Sequence, residues 1–102
     1  MSYLVTVTFD LHGVAEKDWE QVYKEVYAAL AKIGLSNTAT TAEQTVVRLP
    51  QSTVMGEFEG ESSKTLRNRI CSDVEAAFRD QKRKYTMLAT VGKSWALGHR
   101  TG

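Results

Sequence analysis

From Tyr3 to Leu11 the chain alternates, with Tyr3, Val5, Val7 and Phe9 on one side and Leu4, Thr6, Thr8 and Asp10 on the other. Alternation among β-branched and aromatic types marks a strand buried on one face, so this segment is expected to open the fold. Its first side is wholly apolar and suits a core covered by helices, whereas the second is Thr-rich and half apolar. After His12-Gly13 the period changes. Trp19, Val22, Val26, Leu30 and Ile33 recur at three- and four-residue steps, and Gly34 stands where a left-handed cap is expected, which predicts an amphipathic helix over 16–33. Tyr23 and Tyr27 flank that stripe one turn apart and are expected to pack along its border.

The stretch from Asn37 to Arg48 is rich in Thr, Ala and Val, Pro50-Gln51 interrupts it, and Ser52 to Glu59 alternates again. The two runs are expected to pair as a hairpin, with Val54, Gly56 and Phe58 on one side and Thr53, Met55 and Glu57 on the other. Thr40 to Gln44 suits a loop as well as a strand. Ser62 or Ser63 can cap a second helix, from 63 to about 82, whose stripe is Leu66, Ile70, Val74, Ala77 and Phe78. Arg79, Lys82, Arg83 and Lys84 then meet the negative end of its dipole. Tyr85 to Val91 reads as a strand, and Ser94 to Leu97 as a short extra C-terminal strand after Gly92. The order β-α-β-β-α-β predicts an α+β, ferredoxin-like fold, with both helices on one face of an antiparallel sheet and one domain over 1–102.

Composition narrows the classes. The length of 102 residues and an apolar share of 42 % fit one core, and a charged share of 25 % with net charge +1 excludes both a disordered and a strongly basic chain. Net charge therefore gives no support to nucleic-acid binding, although residues 1–51 carry four basic against six acidic side chains and residues 52–102 carry nine against six. Cys71, the one cysteine, cannot form an internal disulfide and is expected at the edge of the second helix's core stripe. No apolar run is long enough for a membrane span or a signal core, so a cytoplasmic protein without membrane association is expected. CxxC, HExxH, GxSxG and Gly-rich phosphate-loop patterns are absent, which removes support for redox, metalloprotease, serine-hydrolase and nucleotide-hydrolase chemistry.

With both helices on one side, the opposite face, including Leu4, Thr6, Thr8, Met55 and Leu88, has no cover from this chain. A second copy about a two-fold axis would bury it, so a homodimer is expected, and the segment around Trp95 and Leu97 can add to the partner's sheet. Asp10 ends the first strand on that open side, where two copies can share a hard cation such as Mg²⁺, against a strand-end Asp that caps the following turn as the plainer reading. His12, two residues on, is a candidate general acid or base, and His99 a weaker one in the tail. Arg67, Arg69, Lys82, Arg83 and Lys84 are the candidates for nucleic-acid phosphates, against a solvated helix face as the plainer reading.

The segments Thr8-Phe9-Asp10-Leu11 and Leu49-Pro50-Gln51-Ser52-Thr53-Val54-Met55-Gly56-Glu57-Phe58 carry a resemblance to a known group. They are similar to the small CRISPR-associated spacer-acquisition proteins and their VapD-like and GhoS-like relatives. The resemblance implies a dimer of ferredoxin-like domains acting on nucleic acid, in some members as a metal-dependent endoribonuclease that cuts RNA and in others as a structural adaptor, with toxin and antitoxin roles also occurring. It carries the group's Asp onto Asp10 and its Ser onto Ser52, with Thr53 as the substitute if the strand is shifted by one. No second acid stands beside Asp10. Two other functions remain open: a non-catalytic module that binds a protein partner through the strand near Trp95, and a dimeric small-molecule binder with Trp19, Phe58 and Phe78 lining a pocket.

Overall fold

In the computed structural model, which describes residues 2–40 and 44–93, the chain runs β1 (Ser2–His12), a 3-10 turn (Glu16–Asp18), α1 (Trp19–Ile33), β2 (Thr38–Thr40), β3 (Val46–Arg48), β4 (Thr53–Glu59), α2 (Ser63–Asp80) and β5 (Lys84–Gly92). β1 lies in the middle of a three-stranded antiparallel sheet of order β4-β1-β5, so the two outer strands are parallel to each other and α2 carries the chain from one to the other. The alternation in β1 is realised as expected: Tyr3, Val5, Val7 and Phe9 are each at most 3 % exposed.

Those four side chains form one cluster with Val22, Val26 and Leu30 of α1 and Leu66, Ile70, Val74 and Phe78 of α2, so both helices cover the same face. Each such side chain taken out of water contributes about 1.5–3 kcal/mol, and this cluster is the main source of stability. Three terminal devices set the helix lengths. Ser62 accepts from the Thr65 N–H at 3.1 Å and caps α2. Gly34, at φ 105°, closes α1 by donating to the Ala31 carbonyl while Leu35 donates to Leu30. Lys82, at φ 57°, closes α2 by donating to the Arg79 carbonyl while Arg83 donates to Phe78.

The structure differs from expectation between 37 and 59. β2 pairs with β3, Thr38 opposite Arg48 and Thr40 opposite Val46, as a separate two-stranded ribbon, and β4 pairs with β1. The root of the ribbon is tied to the sheet through reciprocal 2.8 Å bonds between the backbones of Ser36 and Met55. Thr, Ala and Val supply strand propensity to 37–48 without naming a partner, and no Asn-Gly or Asp-Gly pair fixes a turn, so either pairing suits the residues. The expected extra strand Ser94–Leu97, with Trp95, Leu97 and His99, lies outside the described residues. No helix among the described residues is long and apolar enough to cross a membrane.

Candidate functional site at the end of the central strand

Phe9 fixes where Asp10 goes. Its ring is buried among aromatic neighbours, 5.4 Å from Phe78, 6.2 Å from Tyr23 and 6.3 Å from Tyr27 between centroids. Because successive side chains in a strand point to opposite faces, anchoring Phe9 in the core turns Asp10 outward onto the face the helices leave open. There Asp10 is exposed and opposite Thr86 of β5, and it has no hydrogen-bond or ion-pair partner among the described residues. His12 shares that face and is also exposed; its Nε2 lies 2.8 Å from the Thr86 hydroxyl, and Lys84 stands opposite it in the register. The end of the sheet thus gathers Asp10, His12, Lys84 and Thr86, all four exposed.

Ser52 reaches the same end from β4's approach. The Thr53 N–H donates to the Pro50 carbonyl at 3.1 Å, closing a turn whose third residue is Ser52 at φ 66°. A positive φ at that position is what a type II turn demands, and Gly or Asn usually supplies it. Here three bonds hold a serine there instead: its N–H donates to the Tyr27 hydroxyl at 2.9 Å, its hydroxyl donates to the Tyr23 hydroxyl at 3.1 Å, and its carbonyl accepts from the Phe9 N–H at 3.0 Å. Ser52 is half-buried, and none of its bonds is to a His or Lys that would activate it as a nucleophile. Its place in the site is to lock the turn against β1.

Asp10 and Ser52 line one pocket, of about 270 Å³, together with Thr8, Thr53, Thr86 and Leu88. A second and larger groove, of about 760 Å³, adjoins it and is lined by Trp19, Tyr23, Tyr27, Lys24 and Arg48 among others; Gln51 lines both. Trp19, expected within the core stripe, is instead 47 % exposed. It is the first residue of α1, and its indole N–H donates to the Val14 carbonyl at 3.1 Å, which holds the ring at the rim. Tyr23 and Tyr27 do border the core as expected, but their hydroxyls' hold on Ser52 has no signal in the sequence, where helical spacing speaks only of burial.

The basic candidates divide. Lys84 joins the Asp10 end of the sheet, and Lys82 sits exposed at the nearby end of α2. Arg83 is half-buried, with its Nε enclosed and unpartnered. Arg67 folds onto Asn68 at 3.1 Å, and Arg69 lies 6.0 Å over the Phe58 ring. Phe58 pairs with Tyr3, and seven residues of strand at about 3.3 Å each separate that position from Asp10, so Arg67 and Arg69 belong to the opposite end of the molecule. No group of three or more His, Cys, Asp or Glu that could hold a metal occurs among the described residues, and the described lining of this pocket offers a cation Asp10 with neighbouring threonine hydroxyls. That set suits Mg²⁺ better than a softer metal, because Mg²⁺ keeps most of its waters and takes one or two carboxylates plus phosphate oxygens. Comparison with models of known families, with curated proteins and with solved structures finds no match to this chain.

Proposed function

We propose that this is a ferredoxin-like domain related to the spacer-acquisition, VapD-like and GhoS-like group, acting as a homodimer that binds RNA and cleaves it with the help of Mg²⁺ at Asp10. The observation that carries the reading is the pocket at the end of β1, where an outward-facing carboxylate without a partner among the described residues lines the same cavity as Ser52, Thr8 and Thr86. The fold is supported by the β4-β1-β5 order and by the backbone pairing of Ser36 with the free side of β4, which is where a fourth ferredoxin-like strand would run. The dimer is supported by an open face that carries Leu88, 64 % exposed, with exposed Thr8 and half-buried Leu4 and Thr6, although Met55, expected on that face, is instead buried.

In this reading Mg²⁺, when bound, orients a phosphate and lowers the pKa of a water. Asp10 would hold the ion, with the Thr8 and Thr86 hydroxyls beside it in the same pocket, and His12 would give or take a proton at the ring nitrogen its Thr86 contact leaves free. Ser52 is a positioning residue. Purified protein with Mg²⁺ should cut a structured RNA, chelation should stop it, and Asp10→Ala should abolish cutting while light scattering still finds a dimer. Equal cutting by Asp10→Ala would remove Asp10 from the mechanism.

A second reading is favoured by one observation: β5 is an outer strand of its sheet among the described residues, with an edge to which another protein's strand can add. A module of antitoxin or adaptor type would use that edge. Stoichiometric recovery of a protein partner, with no RNA cutting under any divalent cation, selects it over the nuclease.

A further inference from the structure

A tryptophan that can bury its ring usually does, since aromatic side chains bring a large apolar surface to a core. Trp19 keeps 47 % exposure although it is fixed: the indole N–H is bonded to Val14, and the ring meets Tyr23 edge-on at 6.4 Å between centroids. Tyr23 meets Tyr27 at 6.0 Å, and both tyrosine hydroxyls are tied to Ser52. The result is a rigid wall of three aromatic rings along a groove of about 760 Å³. That volume is within the range of roughly 300–1,000 Å³ typical of ligand sites.

Lys24 and Arg48 also line the groove, and neither has an ion-pair partner among the described residues. Aromatic platforms beside cations are the equipment for an unpaired nucleotide, whose base stacks and whose phosphate takes the charge. Glu20 and Asn37 add an acceptor and an amide at the same groove for base edges. Gln51 lines this groove and the Asp10 pocket alike, so a strand can pass from one to the other without leaving the surface.

We propose that the groove binds one unpaired nucleotide of an RNA strand, its base on Trp19 and its phosphate on Arg48 and Lys24, and thereby presents an adjoining phosphate to Asp10. The inference rests on the RNA reading above and adds to it a subsite for one unpaired nucleotide in the groove beside the Asp10 pocket.

The test is binding of a short 5′-labelled oligouridine to the full chain in chelator, so that no cutting intervenes. Trp19→Ala should weaken binding roughly ten-fold or more, and Trp19→Phe should keep most of the affinity, which also reports that the groove still folds. In a Trp95→Phe background, oligouridine should quench the remaining tryptophan fluorescence saturably. Arg48→Gln should reduce the slope of log affinity against log salt by about 0.7, the value of one phosphate contact on a single strand. Unchanged affinity in Trp19→Ala, absence of quenching, equal competition by a duplex, or no binding by the wild type would each overturn the proposal. Cutting that persists while Trp19→Ala binds normally removes the groove and leaves the nuclease; Trp19-dependent binding without Mg²⁺-dependent cutting removes the nuclease and leaves the groove.

Discussion

The backbone N–H of Ser52 donates to the hydroxyl of Tyr27 at 2.9 Å, and this bond joins the surface of α1 to the turn that forms one wall of the Asp10 pocket. A backbone donor in a left-handed residue cannot easily turn to find another partner. Tyr27→Phe should therefore lower stability by about 1–2 kcal/mol, the usual result of leaving a part-buried donor unpaired. Tyr23→Phe should cost less, about 0.5–1 kcal/mol, because the Ser52 hydroxyl can rotate toward solvent. Urea denaturation of the two variants decides the matter; equal losses would mean that the ring hydroxyls act through packing and not through Ser52.

The strand and helix patterns were legible where one face is fully apolar. Tyr3 to Phe9, Val22 to Leu30 and Leu66 to Phe78 bury the residues that their spacing selects, Ala77 only in part, because two-fold and 3.6-fold periods have only one way to hide them. Pairing partners were less legible. The run from Asn37 to Arg48 says strand, but nothing in it tells whether its first part pairs with its own last part, as β2 does with β3, or with β4. Trp19 shows a different limit: it obeys the helical period, yet as the first residue of α1 it hangs at the rim. The outward placement of Asp10 followed from alternation alone, whereas the left-handed Ser52 and its tyrosine anchors arise from contacts between distant segments that no local pattern encodes.

Gly56 of β4 lies so close to the end of α1 that a methyl group on it would collide with the carbonyl oxygen of Gly34. Helix end and strand touch backbone to backbone, so neither can give way by changing a rotamer. Gly56→Ala should cost about 2–3 kcal/mol, near the upper end for overpacking. Gly34→Ala meets the Phe58 ring at 3.2 Å and also strains φ at 105°, for about 1–2 kcal/mol. Adding Phe58→Leu should recover part of the Gly34→Ala loss and little of the Gly56→Ala loss. Equal recovery in both double variants would show that the ring, and not the Gly34 carbonyl, is the obstacle at Gly56.

Lys82 occupies in α2 the left-handed position that Gly34 occupies in α1, with the same pair of closing bonds. A non-glycine residue there is strained by about 1–2 kcal/mol, offset in part by the lysine charge at the helix C-terminus. Lys82→Gly should raise stability by about 0.5–1 kcal/mol, or a few degrees in Tm for a chain of this size. Lys82→Ala keeps the strain and loses the charge, so it should not stabilise. The pair also isolates the side chain's other candidate role: a more stable Lys82→Gly that binds RNA more weakly assigns the ammonium group to phosphate, and unchanged RNA binding leaves it a helix-end charge.

Tyr85 stacks on Phe78 with centroids 4.7 Å apart, and its hydroxyl is pushed above the ordinary tyrosine range. Burial is the larger cause; the Glu75 carboxylate, as hydrogen-bond partner and as charge, adds to it, while Arg79 opposes. Arg79 is itself drawn to Glu75 at 2.7 Å, so the carboxylate's charge acts on the phenol and the guanidinium alike. The folded chain thus holds the phenol proton at a pH where the unfolded chain has begun to release it. Since the unfolded state then binds fewer protons, stability must fall as pH rises through the ordinary value near 10 and level off once the folded Tyr85 also ionises. The lysines titrate in the same window, so the measurable quantity is the difference between the wild type and Tyr85→Phe. Denaturation midpoints between about pH 9 and pH 11 should fall more steeply in the wild type. Glu75→Gln removes the charge and weakens the hydrogen bond while leaving burial in place, so it should narrow the window in which stability falls without abolishing it. A wild-type slope matching that of Tyr85→Phe would mean that the phenol ionises alike in both states and that Glu75 serves Arg79 alone.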